Sequence, residues 1–341
     1  MTWTASARSL TAALAAGALA GWAATAPAQA TAPTPTAPAP TAPAPTVPPV
    51  KASVRLRLPD AFFVGGHPVT VPRRVIHVTG VVTPWVPGQV VKVQVLLGAR
   101  RIKVALLRLR PSADRRHGTF REAFSSPGVG HLTVVAGHTR DEQMLAFRAQ
   151  RGLAVLSERI GWGATGRFVE LIQQRLAALH FYVPRTGVYD TGTGLAVDAY
   201  HRLLHRGTAQ TLDGLTISYL LDGFGAFRVR FPGHGRHAEG DLSRQLLALV
   251  DGARVRYLFP ISSGKPSTPT VLGDYRIYSR VPGYLPDGMY YSDFFLRGYA
   301  IHGYDPAPDY PASHGCMRLP IPDAVTVYDW LALGDWVDVY Y

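Results

Sequence analysis

IHGYDPAPDYPASHGCMRL, residues 301 to 319, is the stretch on which the reading of this chain turns. It holds the only cysteine of the 341 residues, Cys316, with His302 and His314 close by. Proline, glycine and small residues dominate between them, which predicts a loop held near its ends rather than a helix or strand. A thiol with imidazoles beside it suits nucleophilic catalysis. The thiolate is the reactive form, and an imidazole both removes the proton and stabilises the resulting charge. Gly315 permits a sharp turn, so the amides of Gly315 and Cys316 are expected to point at one developing oxyanion. Three other readings compete: an inert core cysteine, a zinc set of His302, His314 and Cys316, and a surface turn without a role. Inert cysteines sit in apolar runs, whereas Cys316 sits among Ser, His, Gly and Arg. No C-x-x-C, H-x-H or H-E-x-x-H spacing supports zinc, so neither metal nor cofactor is expected.

The run S-H-G-C-M-R at 313–318, preceded by I-H-G at 301–303, resembles the signature of the YkuD-type L,D-transpeptidases, which rebuild peptidoglycan cross-links. The similarity extends upstream through ISSGKPSTPTVLGDYRIYSR (261–280) and downstream to the chain end, roughly the last 100 residues. The ten residues 303–312 separate His302 from Ser313, a shorter insert than the family pattern, and Arg318 stands where many members carry Asn.

The resemblance implies a mixed, β-sandwich-like catalytic unit and acyl transfer through a thioester. Cys316 would attack the third residue of a tetrapeptide stem, a diamino acid, and the terminal D-alanine would leave. An amine of a second stem would then take the acyl group, giving a 3→3 cross-link. His302 matches the family's base, oriented by the backbone carbonyl of Gly303, while His314 orients the loop or supports the anion. Ser313, Arg318 and Tyr291 are expected to meet substrate, Arg318 by binding a stem carboxylate or holding the loop. Tyr284, Tyr290 and Tyr291 lie in a Pro/Gly-rich segment expected to form a lid. With water as acceptor the same site is an L,D-carboxypeptidase. A wall-binding structural protein is a further reading, opposed by the intact His302, Gly315 and Cys316. A histidine base predicts activity that falls as pH drops, or a flat profile between pH 5 and 8 if thiolate and imidazolium are already paired.

Residues 1–30 have the pattern of a secretory signal: Arg8, an apolar run from Leu10 to Ala24, and a small-x-small Ala28-Gln29-Ala30. The apolar run is short for a membrane span, so an exported, cell-wall-associated protein without stable membrane insertion is expected. A lone thiol outside the cytoplasm favours a reactive role for Cys316. Residues 31–50 are a Pro/Ala/Thr tether which, as extended polyproline, reaches ~60 Å.

The rest reads as a multidomain, mainly β chain. Residues 51–150 carry β-branched runs between Pro/Gly turns, predicting a β-sandwich-like domain. They hold sixteen basic and five acidic residues, net +11 of the chain's +12, whereas residues 151–341 are neutral. Nucleic acid is not expected to meet an exported protein, so anionic cell-wall polymers are the expected partner, with a merely solvated basic face as the alternative. Residues 151–224 predict a small three-helix unit: Phe168, Leu171, Ile172, Leu176 and Leu179 on one helix, Ala196 to Leu204 on a second stopping near Gly207, and a third around 217–221. This unit resembles the peptidoglycan-binding domain attached to wall enzymes; His201 and His205 are read as surface histidines. Residues 225–341 complete the catalytic unit. There Asp251-Gly252 predicts a type I′ hairpin, GDYRIYSR and FFLRGYAIHG predict one strand each, a helix follows Pro322 and runs to Gly334, and DWVDVYY closes the sheet.

Overall fold

Alternation of apolar and polar residues builds the first half of the fold. The computed structural model describes residues 48–341; the signal-like segment 1–30 and nearly all of the 31–50 tether lie outside the described residues. Ten strands follow: β1 (Ser53–Arg57), β2 (Phe62–Val64), β3 (His67–Thr70), β4 (Ile76–Thr83), β5 (Val90–Leu97), β6 (Arg100–Arg108), β7 (Arg110–Pro111), β8 (Gly118–Phe124), β9 (Gly130–His138) and β10 (Phe147–Val155). They form two sheets, ordered β1-β4-β8-β7 and β2-β3-β10-β9-β5-β6. In β4, Ile76, Val78 and Val82 are buried while Val81 and Thr83 are exposed, the period of a half-buried strand. Those residues meet Val91, Val93 and Val95 of β5 and Leu132 and Val134 of β9 in one core between the sheets. Each such side chain contributes about 1.5–3 kcal/mol by leaving water.

Three helices come next: α1 (Arg167–Ala178), α2 (Thr191–Leu203) and α3 (Gly214–Asp222). Asp190 and Asp213 cap α2 and α3, accepting from the Thr193 and Thr216 amides at 2.9 and 2.6 Å. Helix α2 ends at Leu203, four residues before the expected glycine stop. His201 is not a surface residue: it is 5 % exposed and its Nε2 donates to the Thr211 carbonyl at 3.0 Å.

The C-terminal unit contains β11 (Arg236–Asp241), β12 (Leu246–Asp251), β13 (Arg254–Pro260), β14 (Gly273–Arg276), β15 (Ser279–Tyr284), β16 (Tyr290–Leu296), β17 (Tyr299–Gly303), β18 (Met317–Leu319), α4 (Ile321–Trp330) and β19 (Trp336–Tyr340). Two sheets, β13-β12-β11-β19-β14 and β15-β16-β17-β18, enclose a core that includes Ala238, Phe259, Phe295, Ile301, Met317 and Val337. The run LLALV in β12 is apolar throughout because both its faces are covered. Leu246, Ala248 and Val250 meet the helices, while Leu247 and Leu249 meet the second sheet.

Four local expectations change. The hairpin loop between β12 and β13 is Gly252-Ala253, and only Gly252 has a positive φ, 59°, so the turn is not the type I′ that needs two. GDYRIYSR is split between β14 and β15, which belong to different sheets, with Ile277 buried where the chain crosses. FFLRGYAIHG is two strands, β16 and β17, folded at Arg297-Gly298 with Arg297 at φ 47°. Helix α4 starts at Ile321 and stops at Trp330.

Candidate active site

The parallel pair β17 and β18 sets the site. Its register places His302 opposite Arg318 and puts their neighbours Ile301 and Met317 together in the core. By alternation, His302 and Arg318 share the other face. Gly303 has a packing reason as well: a Cβ there would lie 2.7 Å from Cβ of Ala324 on α4. Cys316 immediately precedes β18, half-buried, with Sγ 3.5 Å from the Gly298 carbonyl of the β16–β17 turn.

The loop before Cys316 is braced by residues that look unremarkable in sequence. The Ser313 hydroxyl donates to the Cys316 carbonyl at 2.6 Å and accepts the Gly315 amide at 3.0 Å. Its own amide donates to the Ser263 carbonyl, and its carbonyl accepts from the Lys265 amide and the Thr268 hydroxyl. Ser313 is 0 % exposed. It is therefore a brace of the loop rather than the substrate contact expected of it. The Gly315 amide, held by that hydroxyl, is not free for an oxyanion, which leaves the Cys316 amide of the expected pair. Gly315 has φ 124°, and a Cβ there would fall 2.3 Å from the Tyr299 ring, so only glycine fits. The segment SSGK at 262–265 runs beside this loop through bridges of Ser262 to Arg318 and Gly264 to Ser313.

His302 is almost wholly buried, and its Nδ1 donates to the Gly303 carbonyl at 2.9 Å. A carbonyl only accepts, so Nδ1 carries the proton and Nε2 is left as a free base. Burial pushes the His302 pKa down to about 4; the bond to Gly303 opposes this, and the Arg318 charge adds to the lowering. Burial also pushes the Cys316 thiol up, against the pull of the Ala300 backbone and Arg318. The same two charges, Arg318 and Asp287, act on both groups, which places thiol and imidazole in one electrostatic environment. At neutral pH both are uncharged.

Arg318 stacks on Tyr304 with its guanidinium carbon 4.0 Å from the ring centre, and Tyr304 meets His302 edge-on at 5.8 Å. Among the described residues no carboxylate pairs with Arg318, and its Nε is buried without a partner. Asp287 belongs to the tip of the β15–β16 hairpin. That tip reaches Tyr304, since a Cβ on Gly288 would lie 3.3 Å from its ring. The tyrosines expected to form a lid thus belong to a hairpin. Tyr291, however, packs between Tyr290 and Tyr328 of α4, at 4.7 and 5.0 Å between ring centres. His314 is exposed and accepts from Lys265 Nζ at 3.4 Å, so the two histidines flanking the cysteine have different surroundings.

Residues 235–339 match the family model of the L,D-transpeptidase catalytic domain, YkuD. They form a YkuD-type catalytic domain. This domain carries His302, Gly303, Ser313, His314, Gly315, Cys316 and Arg318, all on or beside the β17–β18 pair. Among solved structures, the L,D-transpeptidase of Xylanimonas cellulosilytica DSM 15894 (residues 123–326) is similar at 28% identity and a TM-score of 0.50, over 54% of this chain and 98% of that one. An L,D-transpeptidase from Stackebrandtia nassauensis is 20% identical over 55% of this chain and 98% of that one, with a TM-score of 0.35. One from Mycobacterium tuberculosis H37Rv is 21% identical over 31% and 58%, with a TM-score of 0.30. These two superpose too loosely to argue from. No match was found among curated proteins. Outside the YkuD-type domain, Gln173 of α1 ties the helical unit together, binding Val188, Thr193 and Gly187 at 2.9 Å each. Among the described residues no group of three His, Cys, Asp or Glu side chains is placed to hold a metal, and no helix is long and apolar enough to cross a membrane.

Proposed function

We propose that this chain is a cysteine-dependent L,D-transpeptidase acting on peptidoglycan stem peptides outside the cytoplasm. The observation that carries the reading is the fixed tautomer of His302. With Nδ1 committed to the Gly303 carbonyl, Nε2 is an unprotonated base under the same Arg318 and Asp287 charges as the only thiol.

Because the thiol is held protonated, attack and deprotonation go together. The Cys316 proton passes to His302 Nε2 as sulfur bonds to the carbonyl carbon of the third stem residue. The Cys316 amide faces the oxyanion. Collapse breaks the bond to the terminal D-alanine, whose amine takes the proton back from Nε2. The thioester then meets the side-chain amine of a second stem; Nε2 accepts its proton, the new amide forms as a 3→3 link, and the thiol is restored. Arg318, lacking a carboxylate of its own, is the group to bind a stem carboxylate. The helical unit, which resembles a peptidoglycan-binding domain, holds the wall while the YkuD-type domain works on the stems.

Purified tetrapeptide stems, with and without an added amine acceptor, test this. Cross-linked dimer with acceptor present is the expected product. Release of D-alanine with only tripeptide formed, whatever the acceptor concentration, would make the protein an L,D-carboxypeptidase.

A further inference from the structure

Two of the sixteen basic residues of 51–150, Arg55 and Arg57, line one groove of the sandwich together with Arg151. A groove of about 650 Å³ runs between β1 and β10, lined among others by Arg55, Arg57, Thr79, Thr83, Gln150 and Arg151. Two strand edges meet there. β1 is the edge of its sheet, and β10 pairs with β3 only through Ala154 and Val155, which leaves its earlier residues open on that side. Arg151 bridges the gap, its Nε donating to the Leu56 carbonyl at 3.4 Å. Arg55 and Arg57 are both exposed and two residues apart, so they project from one face at a spacing of about 6.6 Å. The register carries the pattern across the sheet: Arg57 lies opposite Thr79, which lies opposite Arg121. The groove lining holds no carboxylate, and of the five acidic residues of 51–150 four are engaged elsewhere, Asp60 by His77, Glu122 by Lys103, Asp141 by His138 and Asp114 by Arg116; Glu142 has no ion pair among the described residues. Among the described residues Arg55, Arg57 and Arg151 have no carboxylate partner.

We infer that this groove is a binding site for a linear anionic polymer of the cell-wall type, whose oxyanions repeat along an extended backbone. Guanidinium forks at strand spacing match successive phosphate or carboxylate groups, and the threonines and open strand edges supply further polar contacts. Single-stranded nucleic acid fits less well. Its binding sites stack bases on aromatic rings, and the groove lining contains no aromatic residue. The inference is independent of the acyl-transfer chemistry, because binding is read without turnover.

The full chain is to be titrated with poly(glycerol phosphate), with polygalacturonate and with a single-stranded oligonucleotide of matched charge, over a range of salt. The two acidic polymers separate phosphodiester from carboxylate recognition. The test variant is Arg55→Gln/Arg57→Gln/Arg151→Gln; the control removes equal charge as Arg100→Gln/Arg101→Gln/Arg115→Gln on exposed positions outside the groove. The groove variant should lose about tenfold or more in affinity for an acidic polymer, and its log–log salt slope should shrink by about 2. The control should bind within about threefold of the parent, and both variants should process soluble stems normally. Arg55→Gln alone, at an exposed strand position, keeps the test open if the triple variant fails to fold; it should weaken binding in the same direction. Equal losses in the groove and control variants would mean diffuse charge and no site. Unchanged binding with new self-association would reduce the arginines to guards of an open strand edge, overturning the proposal. Tighter binding of the oligonucleotide than of either acidic polymer would overturn it too.

Discussion

His302 and His237 are both shut off from solvent in the same domain, yet their environments drive them in opposite directions. His302 meets a carbonyl at Nδ1 and shares its surroundings with the Arg318 cation, and burial takes its pKa down to about 4. His237 meets the Gly235 carbonyl at Nδ1, 2.8 Å away, and the Glu239 carboxylate at Nε2, 3.2 Å away. Both partners only accept, so both ring nitrogens must donate and His237 is a buried imidazolium. Burial lowers its pKa, but the bonds to Glu239 and Gly235 and the charges of Glu239 and Asp338 outweigh that, and the pKa is raised. Glu239 is further satisfied by the Arg230 and Phe231 amides and the Tyr340 hydroxyl, while His234 pairs with Asp338 at 3.0 Å. Burial alone does not decide what a histidine does. The partner of Nε2 does: left without one it is a base, tied to a carboxylate it is a strut.

The contrast breaks most visibly at the proposed nucleophile. Cys316→Ala should abolish turnover in a chain whose circular dichroism is unchanged, and residual transfer above background would remove Cys316 from the chemistry. His302→Ala should lower kcat/KM by ~10²–10⁴-fold, the usual loss of a general base, with His314→Ala costing less. The reverse order would make His314 the base. In the parent enzyme the acid limb of kcat/KM should lie near pH 4, where His302 protonates, and not near the ordinary histidine value. A flat profile between pH 5 and 8 is then no sign of a preformed thiolate–imidazolium pair, because a neutral pair gives it as well.

His237→Ala tests the other half. Removing one member of a buried ion pair costs about 3–5 kcal/mol, so the melting temperature should fall sharply while activity per folded molecule stays close to the parent's. The sign with pH is fixed by the shifts. His237 is raised, so its contribution is full below its unfolded pKa near 6.5 and is lost as pH climbs through the folded value. Glu239 is lowered, so its contribution is present above about 4.5 and is lost as pH falls through its folded value. The gap in melting temperature between parent and variant should therefore be widest between those limits and narrow on the alkaline side. A gap that widens with rising pH would contradict the imidazolium.

The smallest effect sharpens the site electrostatics. Arg318 lowers the pKa of both Cys316 and His302, so Arg318→Gln should move the midpoint of Cys316 alkylation to higher pH. A midpoint that stays in place would show that the guanidinium does not reach the thiol.

Local signals carried much of this in the sequence. S-H-G-C-M-R and I-H-G placed thiol, imidazole and the Gly303 carbonyl together, because the signature spans the two strands that pair. The cores of α1 and α2 followed from helical spacing. What stayed hidden depends on contacts between distant residues or on which hydrogen bond wins. His234 and Asp338 are 104 positions apart, so no spacing could join them. Ser313 looked available for substrate until Ser263, Lys265 and Thr268 were seen to close around it. The Arg297-Gly298 turn was overlooked because arginine seldom adopts a positive φ, and the apolar run on either side read as one strand.

The acyl-enzyme itself is the most direct test of the proposed function. The parent protein is incubated with a tetrapeptide stem, quenched in acid and digested, and the peptide containing Cys316 is weighed. The account predicts an adduct on that peptide equal to the stem less its terminal D-alanine, absent in Cys316→Ala and discharged by an added amine. A folded parent protein that turns over stems with no adduct, or with the adduct on another residue, would contradict it.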